Sequence, residues 1–334
     1  MSILANFSLP TDKEPPKPII LNTTPEANPR KKYYIHEYEI TKETKLPPLE
    51  PVITIADGNF AYKGDISFIS GAPKAGKSNV IAAMLAACFV QDSSRINDTL
   101  NIQSTYTETH PVIYIDTEQP KPYTQAMIKK VCDILGTDKQ PKNLHIYNLR
   151  EFSVEQRNWF LEDCFEQFKD EHIYIIDGIT DFISSVNDDK ESGFLINKLM
   201  GVSSEKQIPI ILVIHENPGS QKSRVHIGSE SDRKGGGSIG IRKDKEKGLH
   251  YIEAKFMRGS RDFENVYFRW NDEVNRFRLL DESELEETRA ADKMSKEERK
   301  RIQLQEAMQK AFGDFKELEK TRLREFVSLV KKCS

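Results

Sequence analysis

The sequence predicts an α/β fold: a mainly parallel central sheet with helices on both faces, extended by a C-terminal β-hairpin and a helical tail. Three observations carry this expectation. The run Gly71-Ala72-Pro73-Lys74-Ala75-Gly76-Lys77-Ser78 has the form G-x-x-x-x-G-K-[ST]. It lies between Ile66-Ser67-Phe68-Ile69-Ser70, which reads as a strand, and the Ala-rich stretch Asn79 to Phe89, which reads as a buried helix. Downstream, short runs nearly continuous in apolar residues alternate with helical stretches, as parallel strands covered on both faces require.

More than half of the 16 prolines fall within the first 51 residues, including Pro15-Pro16-Lys17-Pro18 and Leu46-Pro47-Pro48. Such a stretch sustains neither helix nor sheet, so residues 1–50 are read as an extended arm, either a tail or a segment that packs on a neighbouring subunit. Residues 51–281 form the expected catalytic domain. Its strands are the run before the glycine loop, then Val112 to Asp116, His145 to Tyr147, Ile173 to Asp177 and Ile210 to His215. Thr124 to Leu135 and Val154 to Phe168 read as helices between them, and the polar stretch Gln91 to His110 as a surface insertion. Leu249 to Lys255 and Val266 to Trp270 bracket Gly259-Ser260-Arg261-Asp262 as an antiparallel hairpin. Residues 282–334 are charged and helical in pattern, with Ala307, Met308, Ala311 and Phe312, then Leu323, Phe326, Val327 and Val330, at helical spacing.

With 334 residues the chain is long enough for a full core. A net charge of −3 gives no global nucleic-acid signature, so any contact with DNA has to come from a local basic surface. Charged residues make up 30% of the chain, and no apolar run reaches membrane-spanning length, nor is there a basic-then-apolar leader. The expectation is a cytoplasmic protein with no membrane contact. Cys88, Cys132, Cys164 and Cys333 lack C-x-x-C spacing, and the first three sit among apolar residues, which points to reduced, buried thiols.

The glycine loop supplies the chemistry. The loop Gly71, Ala72, Pro73, Lys74, Ala75, Gly76, Lys77, Ser78 and Asn79 is placed to cradle phosphates at a helix N-terminus with its backbone N–H groups, Pro73 alone having none to offer. Lys77 should reach the β- and γ-phosphates, and the Ser78 hydroxyl should ligate Mg²⁺. Asp177 closes an apolar strand and fits the carboxylate that completes the Mg²⁺ shell. Glu118, two residues past the strand ending at Asp116, is the candidate for activating water, with Asp116 as substitute. His215 ends its strand where α/β sheets bind ligands and is a candidate γ-phosphate sensor. The glycine-punctuated segment Glu216 to Lys247 is locally basic and reads as a mobile loop for a nucleic-acid backbone, with Arg224, Arg233 and Lys234 among its cations. Lys255 and Arg258 end a strand that in a ring reaches a neighbour's nucleotide, Arg258 as an arginine finger.

Taken together, these residues resemble the RecA-like P-loop ATPases, in particular the branch holding RepA-type plasmid helicases and the AAA-family ATPases of bacterial mobile elements. The resemblance spans about Pro51 to Leu280 and includes Ile113 to Glu118, Tyr174 to Asp181, Val213 to Asn217 and Arg224 to Glu230. It implies ATP and Mg²⁺, assembly into a homo-oligomeric ring or filament with nucleotide between subunits, the expectation here being a hexameric ring, and work on DNA, expected single-stranded. By position it assigns Lys77 and Ser78 to Walker A, Asp177 to Walker B, Glu118 to the catalytic glutamate and Arg258 to a trans-acting arginine. Gly235-Gly236-Gly237 and His215-Glu216 depart from the branch's pattern. The competing readings are an ATP-switched DNA-binding assembly factor without unwinding, and, more weakly, a monomeric small-molecule kinase.

Overall fold

Hydrogen-bonded pairing of the apolar runs organises the chain. In a computed structural model, residues 34–46, 48–185, 188–216, 233–245, 247–290, 297–298 and 300–301 are described. Two compact units result, Met1–Pro48 and Leu49–Ser334. The described part of the first has one 3-10 turn at Ile35–Tyr38, and its Tyr34, Ile35, Tyr38, Ile40 and Leu46 are exposed.

The second unit begins with β1 (Pro51–Ile55) and β2 (Gly58–Tyr62), then β3 (Ile66–Gly71), α1 (Lys77–Ala87) and β4 (Ile102–Ser104). There follow β5 (Val112–Asp116), α2 (Lys121–Leu135), β6 (Leu144–Asn148), α3 (Val154–Gln167), β7 (Ile173–Asp177), α4 (Asp189–Lys206) and β8 (Ile210–His215). The last strands are β9 (Gly237–Asp244), β10 (Leu249–Met257), β11 (Val266–Asn271) and β12 (Arg276–Leu279), and residues 282–290 are helical. Among the described residues, no helix is long and apolar enough to cross a membrane.

β1, β2 and β4 make a small antiparallel sheet. This corrects the reading of Gln91 to His110 as a surface insertion, because Leu100 and Ile102 are buried and Ile102–Ser104 pairs with β1. Three residues in a polar context carry too few apolar positions to register as a strand.

The main sheet has nine strands in the order β12-β11-β10-β9-β3-β8-β7-β5-β6. From β9 to β6 every pairing is parallel, whereas β9 through β12 pair antiparallel. β3, β5, β7 and the first five residues of β8 are fully buried, matching their Ile-rich, β-branched composition. Alternation along the strands sorts the core into two faces. Tyr114, Ile173 and Ile175 pack with Val80 and Met84 of α1 and Met127 and Val131 of α2. Ile113, Ile115, Tyr174 and Ile176 pack with Leu161 and Phe165 of α3 and Leu195 and Leu199 of α4. Each fully buried Ile or Leu contributes roughly 1.5–3 kcal/mol. The mainly parallel sheet, the helical layers on its two faces and the antiparallel C-terminal strands match the α/β architecture that the sequence predicts.

The expected hairpin is present as β10–β11, with His250 opposite Phe268 and Ile252 opposite Val266, but it belongs to a four-stranded extension. The reading of Glu216 to Lys247 as one loop needs correction. Gly237–Asp244 is a strand held between β3 and β10, with Ile239 and Ile241 in the core. Close packing accounts for two of the three glycines: a Cβ on Gly237 would lie 2.3 Å from the Phe60 carbonyl oxygen, and one on Gly236 would lie 2.4 Å from Asp65 Oδ2.

Candidate functional site

The parallel register brings the functional positions to one edge. Gly71 pairs with His215, Asp177 with Val213, and Asp116 with Asp177, so the C-terminal ends of β3, β8, β7 and β5 are aligned. Ligands bind at this edge of an open α/β sheet. β8 lies between β3 and β7, which are therefore about 10 Å apart at the usual strand spacing. The residue at the tip of β8 bridges that distance, and it is His215.

The loop after β3 is held open at the start of α1. Gly76, the N-cap, has φ +105°, and a Cβ there would come 2.9 Å from His250 Nδ1. Only glycine meets both demands. The His250 Nδ1–H donates to the Ala75 carbonyl over 2.7 Å, which fixes the loop against β10. No side chain caps α1 and its first turn holds no acid, so its leading N–H groups and partial positive charge are left for an anion.

Lys77 is buried, and burial lowers its pKa while Asp177, Glu118 and Glu216 oppose that shift. Its ammonium donates to the carbonyls of Gly71 (2.8 Å) and Ala72 (3.2 Å) and to His215 Nδ1 (3.2 Å). A protonated lysine makes Nδ1 the acceptor, which places the imidazole proton on Nε2. That nitrogen lies 2.8 Å from Glu118 Oε1, at ion-pair distance but off the line of a hydrogen bond. Lys77, His215 and Glu118 thus form a continuous chain above Asp177.

Asp177 is buried, and desolvation first, then the Glu118 and Asp116 charges, push its pKa up to about 6. The Tyr114 hydroxyl donates to its Oδ2 over 3.0 Å. A donor atom each from Glu118, Asp177 and His215 lie within 4.8 Å of one another. A divalent cation fits this donor set, because it would relieve the repulsion that raises the Asp177 pKa. Asp177, with the half-buried Ser78 hydroxyl, supplies hard oxygen ligands of the kind Mg²⁺ takes.

Asp116 has another job. Its Oδ1 accepts from the Glu118 and Gln119 amides, each at 3.0 Å, and its Oδ2 from the Thr124 hydroxyl at 2.6 Å. It locks the turn that aims Glu118 and does not stand free as a substitute base. Thr117, Tyr114 and Gly178, absent from the sequence-level set, also position the site. The Thr117 hydroxyl donates to Asp181 Oδ2 at 2.8 Å, and a Cβ on Gly178 would meet Glu118 Oε1 at 2.8 Å. Their signal in sequence is only adjacency to the strand tips.

Arg258 does not join this cluster. β10 runs antiparallel to β9, so Met257 lies opposite Gly237, which lies opposite Ser67 near the start of β3. Arg258 is exposed at the opposite end of the sheet, where its side chain donates to the Arg233 carbonyl. Arg233 and Lys234 are at that same end, Lys234 bonding Asn197 Oδ1, while Arg224 lies outside the described residues. Lys255 and Arg242 are engaged by the buried Glu216 carboxylate, Lys255 at 2.9 Å, and Arg242 also by Glu253. Cys88, Cys132 and Cys164 are buried free thiols, and burial pushes Cys88 and Cys164 up to about 12.

Residues 41–221 match a family described as an AAA domain. No curated protein matches the chain. Among solved structures, the chain is similar to one titled "Crystal structure of the RadB recombinase", at 15% identity and a TM-score of 0.45, over 67% of this chain and 94% of that one.

Proposed function

This chain belongs to the AAA domain family, and from that premise we propose that it is an Mg²⁺-dependent ATPase that works as a DNA-dependent, helicase-like motor in a homo-oligomeric ring. The observation that carries the hydrolytic part is the chain of contacts Lys77–His215–Glu118 over Asp177. Lys77 bonds carbonyls of its own loop and would exchange them for phosphate oxygens, which withdraws its proton donation from His215. Glu118, a partly exposed carboxylate, is then released from the imidazole to orient a water and accept its proton. Ser78 and Asp177 would hold Mg²⁺, whose charge offsets that of the phosphates.

The motor part is supported by the placement of the cations. Arg258 is remote from Lys77 of its own chain, so a catalytic role for it requires the site of a second copy. The basic segment leaves the sheet at Glu216, beside the phosphate loop, and Arg233, a few residues before β9, stands at the opposite end. A ligand on that segment would therefore be linked to both ends.

The test is ATP turnover with and without single-stranded DNA. Native protein should be stimulated, and Glu118→Gln should lose about 10²–10⁴-fold in kcat while still binding ATP. Mixing Lys77→Ala with Arg258→Ala chains should restore part of the activity. Turnover indifferent to DNA and to Glu118→Gln would instead support the ATP-switched assembly factor.

A further inference from the structure

We propose that the groove bounded by α1, α2 and the β11–β12 hairpin seats the purine base of the nucleotide; this rests on reading the glycine loop as a triphosphate site. The groove encloses about 250 Å³. That is below the roughly 300–1,000 Å³ of drug-sized sites and suits one bicyclic base with part of its sugar.

Continuity with the phosphate loop is the first argument. Asn79 lines the groove and directly follows Ser78 in the first turn of α1, so a ligand leaving the loop along that helix meets the groove next. The second argument is shape. Ala82 and Ala83 face it from α1, three and four residues after Asn79, and their small side chains leave the hollow open.

The third argument is the opposite wall. Trp270 is 46% exposed, although the neighbouring Phe268 is fully buried. Its indole meets Phe277 edge-on at 5.4 Å, and its Nε1–H donates to Asp272 Oδ1 at 2.9 Å, so the ring is held in place. A fixed, half-exposed indole in a concave surface offers a flat base a large contact at little entropic cost. Polar groups complete the match. Lys130 Nζ donates to Asn79 Oδ1 at 3.0 Å, and Asp133, whose carboxylate accepts from Lys129 at 3.0 Å, adds its further lone pairs to the lining. Donors and an acceptor together suit a purine edge, which carries ring nitrogens and an exocyclic group.

The experiment compares Mg²⁺-ATP with Mg²⁺-tripolyphosphate, which shares the phosphates and lacks the base. Binding of each is measured to the full native chain and to Trp270→Ala, Trp270→Phe and Lys77→Ala. Trp270→Ala should weaken ATP at least about tenfold and leave tripolyphosphate unchanged, with Trp270→Phe intermediate. Lys77→Ala should weaken both. In a Trp159→Phe background the single remaining indole should change its fluorescence with ATP but not with tripolyphosphate. Equal loss of both ligands in Trp270→Ala, or ATP affinity within about twofold of native, overturns the base seat while leaving the phosphate site standing. If native protein binds neither ligand, the phosphate-site reading itself fails.

Discussion

α1 and α3 begin in opposite ways. The N-terminus of α3 is closed by its own sequence: Ser153 Oγ accepts from the Gln156 amide, Gln156 Oε1 accepts from the Ser153 amide, and Glu155 adds an acid to the first turn. That is a complete capping box, with its polar groups satisfied locally. α1 has a left-handed glycine at its N-cap, no capping side chain and no acid. One helix is finished for stability and the other is left unfinished for a ligand. The difference shows where this fold leaves electrostatic demand unmet, namely at the Lys77 edge of the sheet.

Four substitutions test that contrast. The largest effect should come from Lys77→Ala, which removes the only cation in the first turn of α1. ATP turnover should fall by at least about 10²–10³-fold with no loss of thermal stability; a variant that retained turnover would put the phosphates elsewhere. Asp177→Asn comes next and should act in opposite directions on activity and stability. The folded pKa of Asp177, about 6, lies above its ordinary 3.8, so the metal-free fold binds that proton more tightly than the unfolded chain. Its stability contribution is complete below about pH 4 and is lost as pH rises through about 6. Asparagine retains an oxygen for the Tyr114 hydroxyl and removes the charge. Metal-free Asp177→Asn should gain up to about 3 kcal/mol at pH 7 in denaturant melts, with no gain at pH 4, and lose hydrolysis.

Ser153→Ala should cost about 1 kcal/mol and leave kcat unchanged, since that helix end is satisfied by its own Gln156. Asn79→Asp is the subtlest. An acid in the first turn of α1, also within reach of Lys130, should stabilise the nucleotide-free protein by about 0.3–1 kcal/mol. The same change should weaken ATP, and tighter ATP binding would contradict the assignment of that helix end.

Those helix ends also show how much the sequence discloses. Strands buried on both faces announce themselves, so β5, β7 and β8 begin and end where their apolar runs do. The glycine loop pointed to Lys77 and the strand ends to Glu118, Asp177 and His215, and the parallel register brings these positions to one edge. What stayed hidden has low local signal. α4 carries Gly193 and Gly201, each about 1 kcal/mol worse than Ala in a helix, and its capping by Asp188 is not distinctive. β9 looks like a loop because Gly237 and Gly240 are glycines for tertiary reasons; a Cβ on Gly240 would meet Glu253 Oε1 at 2.6 Å. The Lys77–His215 contact depends on β8 lying between β3 and β7, and strand order is not written in any one stretch of chain. Nor does the spacing of Trp270 from Asn79 reveal that both border one groove.

The placing of Glu216 and Arg233 at opposite ends of the sheet sets a mechanical condition. The two points are separated by roughly the length of β3, about 20 Å at the rise of an extended strand. Glu216 is held to Gly71 at one end of that strand, and Gly236 to Ile66 at the other. The sheet itself therefore fixes the distance, and the phosphate edge cannot approach the Arg233 edge unless β3 gives up its extended form.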